Sequence, residues 1–194
     1  MTDYADINET LSSGGVLLLP TETVYGLACV AADTAAVDKI YAVKGRDFEK
    51  PLAVCVKDLA EAETLGLLDE AARELAIRHW PGSLTLVVKA RPEIVLDPRC
   101  LSGRGQDVTI ALRCPEAAWR ESLNGPLALT SANRSGQPDC VNYESAMAEF
   151  DGELDGALMS DTPLSGAPST IVSVMGADFK ILRQGTLAVT EINS

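Results

Sequence analysis

The sequence is poor in the residue on which many catalytic and metal centres depend. It contains a single histidine, His79, so a histidine-rich zinc site or a catalytic triad would have to be built around this one side chain. His79 continues the helical stripe of Leu68, Ala72 and Leu75, which favours a packed or rim position for its ring. We therefore predict no metal centre built by the protein, and the scarcity of histidine argues against many classes of hydrolase.

Positive charge and aromatic residues are also scarce. The chain has 16 Lys and Arg against 28 Asp and Glu, which gives a formal net charge of -12. The far field of such a protein repels phosphates, and this argues against a general nucleic-acid or membrane-surface binder. Aromatic residues make up only 5% of the chain and supply few platforms for stacking bases. A local basic cleft remains compatible with this composition.

The sequence lacks the features of a secreted or membrane protein. Its cysteines are odd in number, have no CxxC spacing and lie mostly in apolar runs, as expected of free thiols in a reducing compartment. They are Cys29, Cys55, Cys100, Cys114 and Cys140. No N-terminal stretch joins a basic flank to an apolar core, and no apolar run approaches the roughly 20 residues that span a bilayer. We expect a cytoplasmic protein without membrane contact.

The pattern of the chain predicts a single α/β domain over residues 1–194, because helical segments alternate with short apolar strands and no linker divides them. Residues 16–19 form a fully apolar strand of the kind found in mainly parallel sheets, and close strand neighbours near the end imply some antiparallel pairing. Residues 115–124 are predicted to be helical. Residues 91–106 show no periodicity and predict a mobile surface loop, of a length typical of lids, although its arginines could simply be solvated.

Three cations fall within seven residues in the stretch Lys44-Gly-Arg-Asp-Phe-Glu-Lys-Pro51. Upstream, Asp33 can cap a helix, and Gly45 can end it, so Lys44 and Arg46 are predicted to lie at a helix exit. Arginine binds phosphate through two parallel hydrogen bonds and lysine adds a point charge, so the pair could form a phosphate clamp. The alternative is that these cations only complement the helix dipole.

Polar side chains follow several of the predicted strands. Thr109 and Arg113 are an even number of residues apart in one strand and are therefore predicted to share a face. The whole set consists of Thr23, Lys44, Arg46, Lys50, Thr109, Arg113, Ser131, Asn133, Ser169 and Arg183. The set is rich in donors and cations and poor in general bases, which suits anion binding and charge stabilisation during phosphoryl transfer. No GxxxxGK[ST] or GxGxxG motif is present, and many of these residue types are also usual in turns and helix caps.

Six short motifs occur in one order along the chain. They are Pro20-Thr-Glu-Thr-Val-Tyr-Gly-Leu27, Lys44-Gly-Arg46 with Lys50-Pro-Leu52, Pro81-Gly82, Ser131-Ala-Asn133 with Ser135-Gly136, Ser169-Thr-Ile-Val172, and Leu182-Arg183-x-Gly185. Together, over about residues 16–185, the sequence resembles the YrdC-like family of threonylcarbamoyl-AMP synthases, in its short bacterial form without a C-terminal domain. The resemblance implies a three-layer YrdC-like fold with a twisted mixed parallel and antiparallel sheet flanked by helices.

The resemblance also implies an activity. The family combines L-threonine, bicarbonate and ATP, with Mg2+, into threonylcarbamoyl-AMP and pyrophosphate, and tRNA-modifying transferase proteins use the product to make threonylcarbamoyladenosine. By position, the residues implied to contact threonine or its carbamate are Thr23, Arg113, Ser131 and Ser169. Those implied to contact ATP are Arg46, Lys50, Thr109, Asn133 and Arg183, and Lys44 completes a catalytic pair with Arg46.

Two departures from the family pattern leave alternatives open. Cys55 stands where many relatives carry a histidine at the threonine site, and Val141 stands where many carry a threonine near the nucleotide. One alternative is a nucleotide-binding paralogue with a different acceptor amino acid. Another is an RNA-binding or ribosome-maturation factor, which the negative charge disfavours.

Overall fold

The computed structural model describes residues 4–160, 162–176, 178–188 and 190. Its α-helices are α1 (Tyr4–Ser12), α2 (Thr34–Lys44), α3 (Leu59–Leu65), α4 (Glu70–His79) and α5 (Tyr143–Glu149). Its strands are β1 (Leu17–Pro20), β2 (Tyr25–Val30), β3 (Ala53–Cys55), β4 (Gly66–Leu67), β5 (Leu84–Ala90), β6 (Leu101–Ser102), β7 (Thr109–Arg113), β8 (Leu127–Ser131), β9 (Gly156–Ala157), β10 (Thr170–Met175) and β11 (Asp178–Arg183). None of the described helices has the length and apolar character needed to cross a bilayer.

The described strands form one mixed sheet in the order β11-β10-β5-β7-β3-β8-β2-β1-β9, with β4 paired to β5 and β6 paired to β7. The pairs β1 with β9, β10 with β5, and β3 with β7 are parallel, and the other described pairs are antiparallel. The mixed sheet is thus confirmed. The expectation that residues 16–19 lie in a mainly parallel sheet is wrong, because β1 and β2 are joined by a connection too short for a parallel crossover.

Side-chain alternation in the strands builds two apolar layers, one on each face of the sheet. Val16 and Leu18 join a large cluster with α2, α3, α4 and α5, whereas Leu17 and Leu19 join a smaller cluster with α1 and Trp119. The three-layer arrangement predicted from the sequence is therefore confirmed. The smaller cluster covers only part of its face, and the candidate site occupies the rest of it.

The helix boundaries follow the capping residues of the sequence. Asp33, Asp58, Asp69 and Asn142 accept backbone N–H groups at the starts of α2, α3, α4 and α5. Gly45 ends α2 with φ of 57°, a left-handed conformation that glycine adopts without steric cost. The predicted cap and stop of the helix that precedes Arg46 are both confirmed.

The predicted helix over residues 115–124 is wrong. Only a short 3-10 helix, Ala118–Ser122, forms there. The backbone N–H of Glu116 donates to the Glu22 carboxylate at 3.1 Å, and the indole of Trp119 donates to the carbonyl of Pro20 at 2.7 Å. Tertiary hydrogen bonds and burial of the tryptophan thus take precedence over regular helix formation in this segment.

The segment 91–106 is more ordered than the surface loop that the sequence predicted, although much of it is exposed and residues 91–97 have no regular secondary structure. It contains a 3-10 helix at Pro98–Cys100, and β6 pairs with β7. The N–H of Asp97 donates to Ala31 O at 2.8 Å, and the carbonyl of Arg99 accepts from Leu52 N at 2.8 Å. These long-range bonds join the middle of the segment to the core, and they are invisible to local periodicity. Its movement as a lid stays a prediction.

Candidate functional site

A cavity of about 430 Å³ lies on the sheet face that α2 to α5 do not cover. Its wall includes Thr85 and Val87 of β5 and Thr109, Ala111 and Arg113 of β7. The intervening residues of these strands point into the large apolar cluster on the other face. The predicted common face of Thr109 and Arg113 is therefore confirmed, and strand alternation separates the site from the core.

The structure brings six of the ten predicted site residues to the cavity wall. They are Arg46, Thr109, Arg113, Ser131, Ser169 and Arg183. The other four, which lie behind or beside the wall, are Thr23, Lys44, Lys50 and Asn133. Thr23 and Lys44 are buried, whereas Lys50 is exposed. The wall thus gathers three guanidinium groups within a chain whose net charge is -12.

Arg113 is the most firmly oriented of these cations, with a residual exposure of 7%. Its Nη2 donates to Glu22 Oε1 at 2.8 Å and to Thr23 Oγ1 at 2.7 Å. The same Glu22 oxygen accepts from Ser83 Oγ at 3.1 Å, which fixes the carboxylate in turn. Nε of Arg113 has no hydrogen-bond acceptor among the described residues. Both N–H groups of Nη2 are thus used and Nε is buried, so Nη1 is the nitrogen of Arg113 left to donate to an anionic ligand.

Ser169, which lies just before β10, links Thr85 of β5 to Arg183 of β11. Its hydroxyl lies 2.8 Å from Thr85 Oγ1, and its carbonyl accepts from Arg183 Nε at 3.1 Å and Nη2 at 2.8 Å. Burial lowers the pKa of the Arg183 guanidinium; the charge of Arg113 acts in the same direction and that of Asp139 in the opposite one. A second partly desolvated cation thus faces the cavity, where it would gain most from an anion.

Arg46 reaches the cavity from the loop that follows α2. Its Nε donates to Lys50 O at 3.0 Å, and its Nη2 donates to Pro51 O at 3.0 Å. Both acceptors belong to its own loop, so the loop conformation decides where the guanidinium points. The side chain of Lys50, by contrast, is exposed to solvent.

Lys44 does not share the surroundings of Arg46. It is only 2% exposed, and its ammonium donates to Ser131 O, to Asn133 O at 2.6 Å and to Asn133 Oδ1 at 3.1 Å. These bonds use all three N–H donors of a lysine. Burial, followed by the charge of Arg46, lowers the pKa of Lys44 to about 8, and Asp139 acts in the opposite direction. Lys44 thus fastens the end of α2 to Ser131 at the end of β8 and to Asn133 after it. Of the two cations Lys44 and Arg46, only Arg46 faces the cavity.

The two departures from the resembled family lie away from the cavity wall in the described structure. Cys55 is fully buried in the smaller apolar cluster, next to Arg113 in the pairing of β3 with β7, and burial raises the pKa of its thiol. Val141 is exposed. Neither side chain fills the space in which a ligand would lie.

Sequence reasoning assigned no role to Glu22, Thr21 or Thr85. Thr21 and Thr85 line the cavity, and Glu22 orients Arg113. A threonine between two leucines in β5 was a usable signal, since the polar side chain interrupts one apolar strand. The partnership of Glu22 with Arg113, which is 91 positions away, depended on sheet order and had no local signal.

The wall can bind and orient anions, and its chemistry offers little else. Hydroxyls and guanidinium groups line the cavity together with apolar side chains such as Val87 and Leu129, and no group of three His, Cys, Asp or Glu side chains among the described residues could hold a metal ion. The volume lies within the range of small-molecule sites, about 300–1,000 Å³. The arrangement suits a polyanionic small molecule better than hydrolysis by a protein nucleophile.

Comparison with known proteins gives a consistent picture. Residues 9–185 match the Sua5/YciO/YrdC family model, which carries the description telomere recombination. A Bacillus subtilis (strain 168) protein named threonylcarbamoyl-AMP synthase is 37% identical over 190 residues, covering 95% of this chain and 54% of that protein. A Mycobacterium leprae (strain TN) relative is 37% identical over 187 residues, covering 94% of this chain and 82% of its own.

A solved structure is similar over almost the whole chain. The crystal structure of P. abyssi Sua5 complexed with L-threonine superposes with a TM-score of 0.89 at 31% identity, covering 98% of this chain and 57% of that one. The chain thus spans about half the length of the B. subtilis and P. abyssi proteins that it matches.

Proposed function

Because the chain belongs to the Sua5/YciO/YrdC family, we propose that it acts as a threonylcarbamoyl-AMP synthase on L-threonine, bicarbonate and ATP. The observation that carries the proposal is the position of Arg113. Its buried guanidinium lies at the cavity wall, is anchored by Glu22 and Thr23, and retains donors for a carboxylate. The relatives named for this activity, and the one solved with L-threonine, support the choice of substrate.

We propose that the cavity has an amino-acid end and a nucleotide end. The amino-acid end comprises Arg113, Ser131 and Ser169 on the wall, with Thr23 behind Arg113. The nucleotide end comprises Arg46, Thr109 and Arg183 on the wall, with Lys50 and Asn133 beside it. Lys44, whose donors are all used within the protein, contributes by holding Ser131 and Asn133.

The proposed reaction proceeds through a carbamate. The amine of threonine adds to bicarbonate with loss of water, and an oxygen of the resulting carbamate attacks the α-phosphorus of ATP. The bond from that phosphorus to the bridging oxygen breaks, and pyrophosphate leaves. Arg46 and Arg183 stabilise the charge that develops on the phosphates, since positioning and electrostatics supply most of the catalysis in such transfers.

We propose that Mg2+ arrives with ATP rather than in a cage built by the protein. Mg2+ is commonly held by substrate phosphates and water with few protein carboxylates. When bound, the ion would neutralise phosphate charge. The reactive product would pass to tRNA-modifying transferase proteins, and the free thiols fit the cytoplasm as the compartment.

The test is pyrophosphate release from ATP by the purified protein with Mg2+. We expect release to require both L-threonine and bicarbonate. Arg46→Ala should lower kcat/KM by about 10- to 100-fold, the cost of losing a charged hydrogen-bonding partner. The matched control is Arg78→Ala, an exposed arginine of α4, which should leave the rate unchanged.

Three outcomes would redirect the proposal. Release with serine or another amino acid in place of threonine would identify a paralogue with a different acceptor. Binding of ATP without pyrophosphate release with any amino acid would contradict synthase activity, and the threonine-site assignments would then be dropped first. A salt-dependent shift of tRNA in a gel would instead favour an RNA-binding role.

A further inference from the structure

The loop that carries Arg46 is held by a tyrosine behind it. The carbonyl of Lys50 accepts two hydrogen bonds, one from Tyr41 Oη at 2.7 Å and one from Arg46 Nε at 3.0 Å. A carbonyl oxygen has two lone pairs, so both donors can be satisfied at once. The hydroxyl of Tyr41 and the guanidinium of Arg46 are thus coupled through one shared atom.

We propose that Tyr41 is a positioning residue, which directs the guanidinium of Arg46 into the cavity by fixing the carbonyl of Lys50. The inference rests on the proposed function, in which Arg46 binds the phosphates of ATP. Tyr41 is 1% exposed and does not line the cavity, so it acts through Arg46 and makes no contact of its own with the nucleotide.

The ring of Tyr41 is itself fixed by stacking on Phe48 and by the guanidinium of Arg99, which lies near both rings. Its centroid lies 5.1 Å from that of Phe48, with 10° between the ring planes. Cζ of Arg99 lies 5.2 Å from the Tyr41 centroid and 5.9 Å from the Phe48 centroid. The guanidinium of Arg99 donates to the carboxylate of Asp97 at 2.8 and 2.9 Å, and also to Asp38. Contacts among Tyr41, Phe48 and Arg99 therefore join α2, the loop after it and the segment 97–100.

The same contacts give the exposed side chain of Phe48 a structural role. Phe48 is 66% exposed, although it is large and apolar. Its contact with Tyr41 holds the middle of the loop between Arg46 and Lys50, at the edge of the nucleotide end. Phe48 therefore contributes little through its own burial. Its ring instead restricts the conformation of the loop that directs Arg46.

Tyr41→Phe isolates the proposed coupling. The substitution removes one hydroxyl and keeps the ring stacked on Phe48, and the carbonyl of Lys50 still has Arg46 Nε as a donor. We expect equilibrium binding of ATP to weaken by about 3- to 10-fold, the effect of one hydrogen bond, with little change in melting temperature. Tyr143→Phe on α5 is the matched control and should bind ATP like the wild type.

A double-mutant cycle with Arg46→Ala separates positioning from a general structural effect. If Tyr41 acts through Arg46, Tyr41→Phe should cause no further loss of affinity in the Arg46→Ala background. An equal loss in both backgrounds, or no loss in the wild-type background, would overturn the inference. Inorganic pyrophosphate serves as a second probe of the same cycle.

The two probes distinguish failure of the inference from failure of the proposed function. A wild-type protein that binds pyrophosphate but not ATP would contradict the synthase assignment, and the coupling would then be judged on pyrophosphate alone. A wild-type protein that binds neither probe would overturn both.

Discussion

At the scale of the residue, Lys44 shows how a cation in a recognised motif can act inside the protein. Its ammonium is surrounded by oxygen atoms of Ser131 and Asn133, and it carries no carboxylate partner at hydrogen-bond distance among the described residues. Replacing it by methionine would keep most of its volume but remove a donor from all three oxygens. Asn133 O would lose its donor, whereas Ser131 O would still accept from Asn133 N and Asn133 Oδ1 from Ser131 Oγ. We expect Lys44→Met to lower the free energy of unfolding by about 1–3 kcal/mol at pH 7, the usual cost of unsatisfied buried groups. Urea denaturation measures this difference.

The same residue predicts a dependence of stability on pH. Burial lowers the pKa of Lys44 to about 8 in the folded chain, from the ordinary value of 10.5 that applies in the unfolded chain. Between these values the unfolded chain binds more protons, so the stability contributed by Lys44 rises with pH across this window. The stability difference between the wild type and Lys44→Met should therefore be larger at pH 10 than at pH 7. Lys180→Met, on an exposed lysine of β11, is the control variant, measured at the same two pH values. A stability difference for Lys44→Met that stays equal or narrows from pH 7 to pH 10 would contradict the prediction.

At the scale of the element, the segment just after β11 approaches the segment just before β10 too closely for a side chain. A Cβ on Gly185 would lie 2.1 Å from Pro168 O and 2.4 Å from Ser169 C. Both atoms belong to the backbone, so Gly185→Ala must displace the segment that presents Ser169 to the cavity. We expect a loss of about 1–3 kcal/mol of stability, typical of overpacking, together with weaker binding of ATP.

The matched control for this prediction is Gly125→Ala. A Cβ on Gly125 would meet nothing within 4 Å, so its effect should stay within about 0.5 kcal/mol. Thermal denaturation of both variants gives the comparison. Equal melting temperatures would refute the steric argument for Gly185.

Elements with local signals were predictable, and those formed by distant contacts were not. The cap of α2 at Asp33 and its end at Gly45 depend on neighbouring residues, and the shared face of Thr109 and Arg113 follows from strand alternation. The partnership of Arg113 with Glu22 depends on which strands are neighbours, and no residue pattern near either side chain encodes that order. The inward position of Lys44 was missed for the same reason, because its acceptors come from the residues after β8.

At the scale of the whole molecule, the cysteines form no covalent cross-links. Cys29, Cys55, Cys100 and Cys114 are buried, and Cys140 is half-buried. Burial raises the pKa of each thiol. The reactive thiolate is therefore depleted at pH 8.

We expect the native protein to react slowly with a disulfide reagent such as DTNB at pH 8, with Cys140 reacting first. In denaturant all five thiols should react rapidly. Mass spectrometry of the modified protein identifies the order. Rapid modification of a buried thiol in the native state would reveal an opening of the fold that the packing does not predict.

The pairing of β10 with β5 has a consequence for how the protein becomes competent during synthesis. The cavity needs Thr85 from the first half of the chain and Ser169 and Arg183 from its last quarter, and the strands of the two parts are joined by that parallel pair. A nascent chain still inside the ribosome exit tunnel beyond β8 would have most of the sheet and yet an open-sided cavity. Competence to bind ligand would thus arise late, once β10 and β11 have left the tunnel and paired.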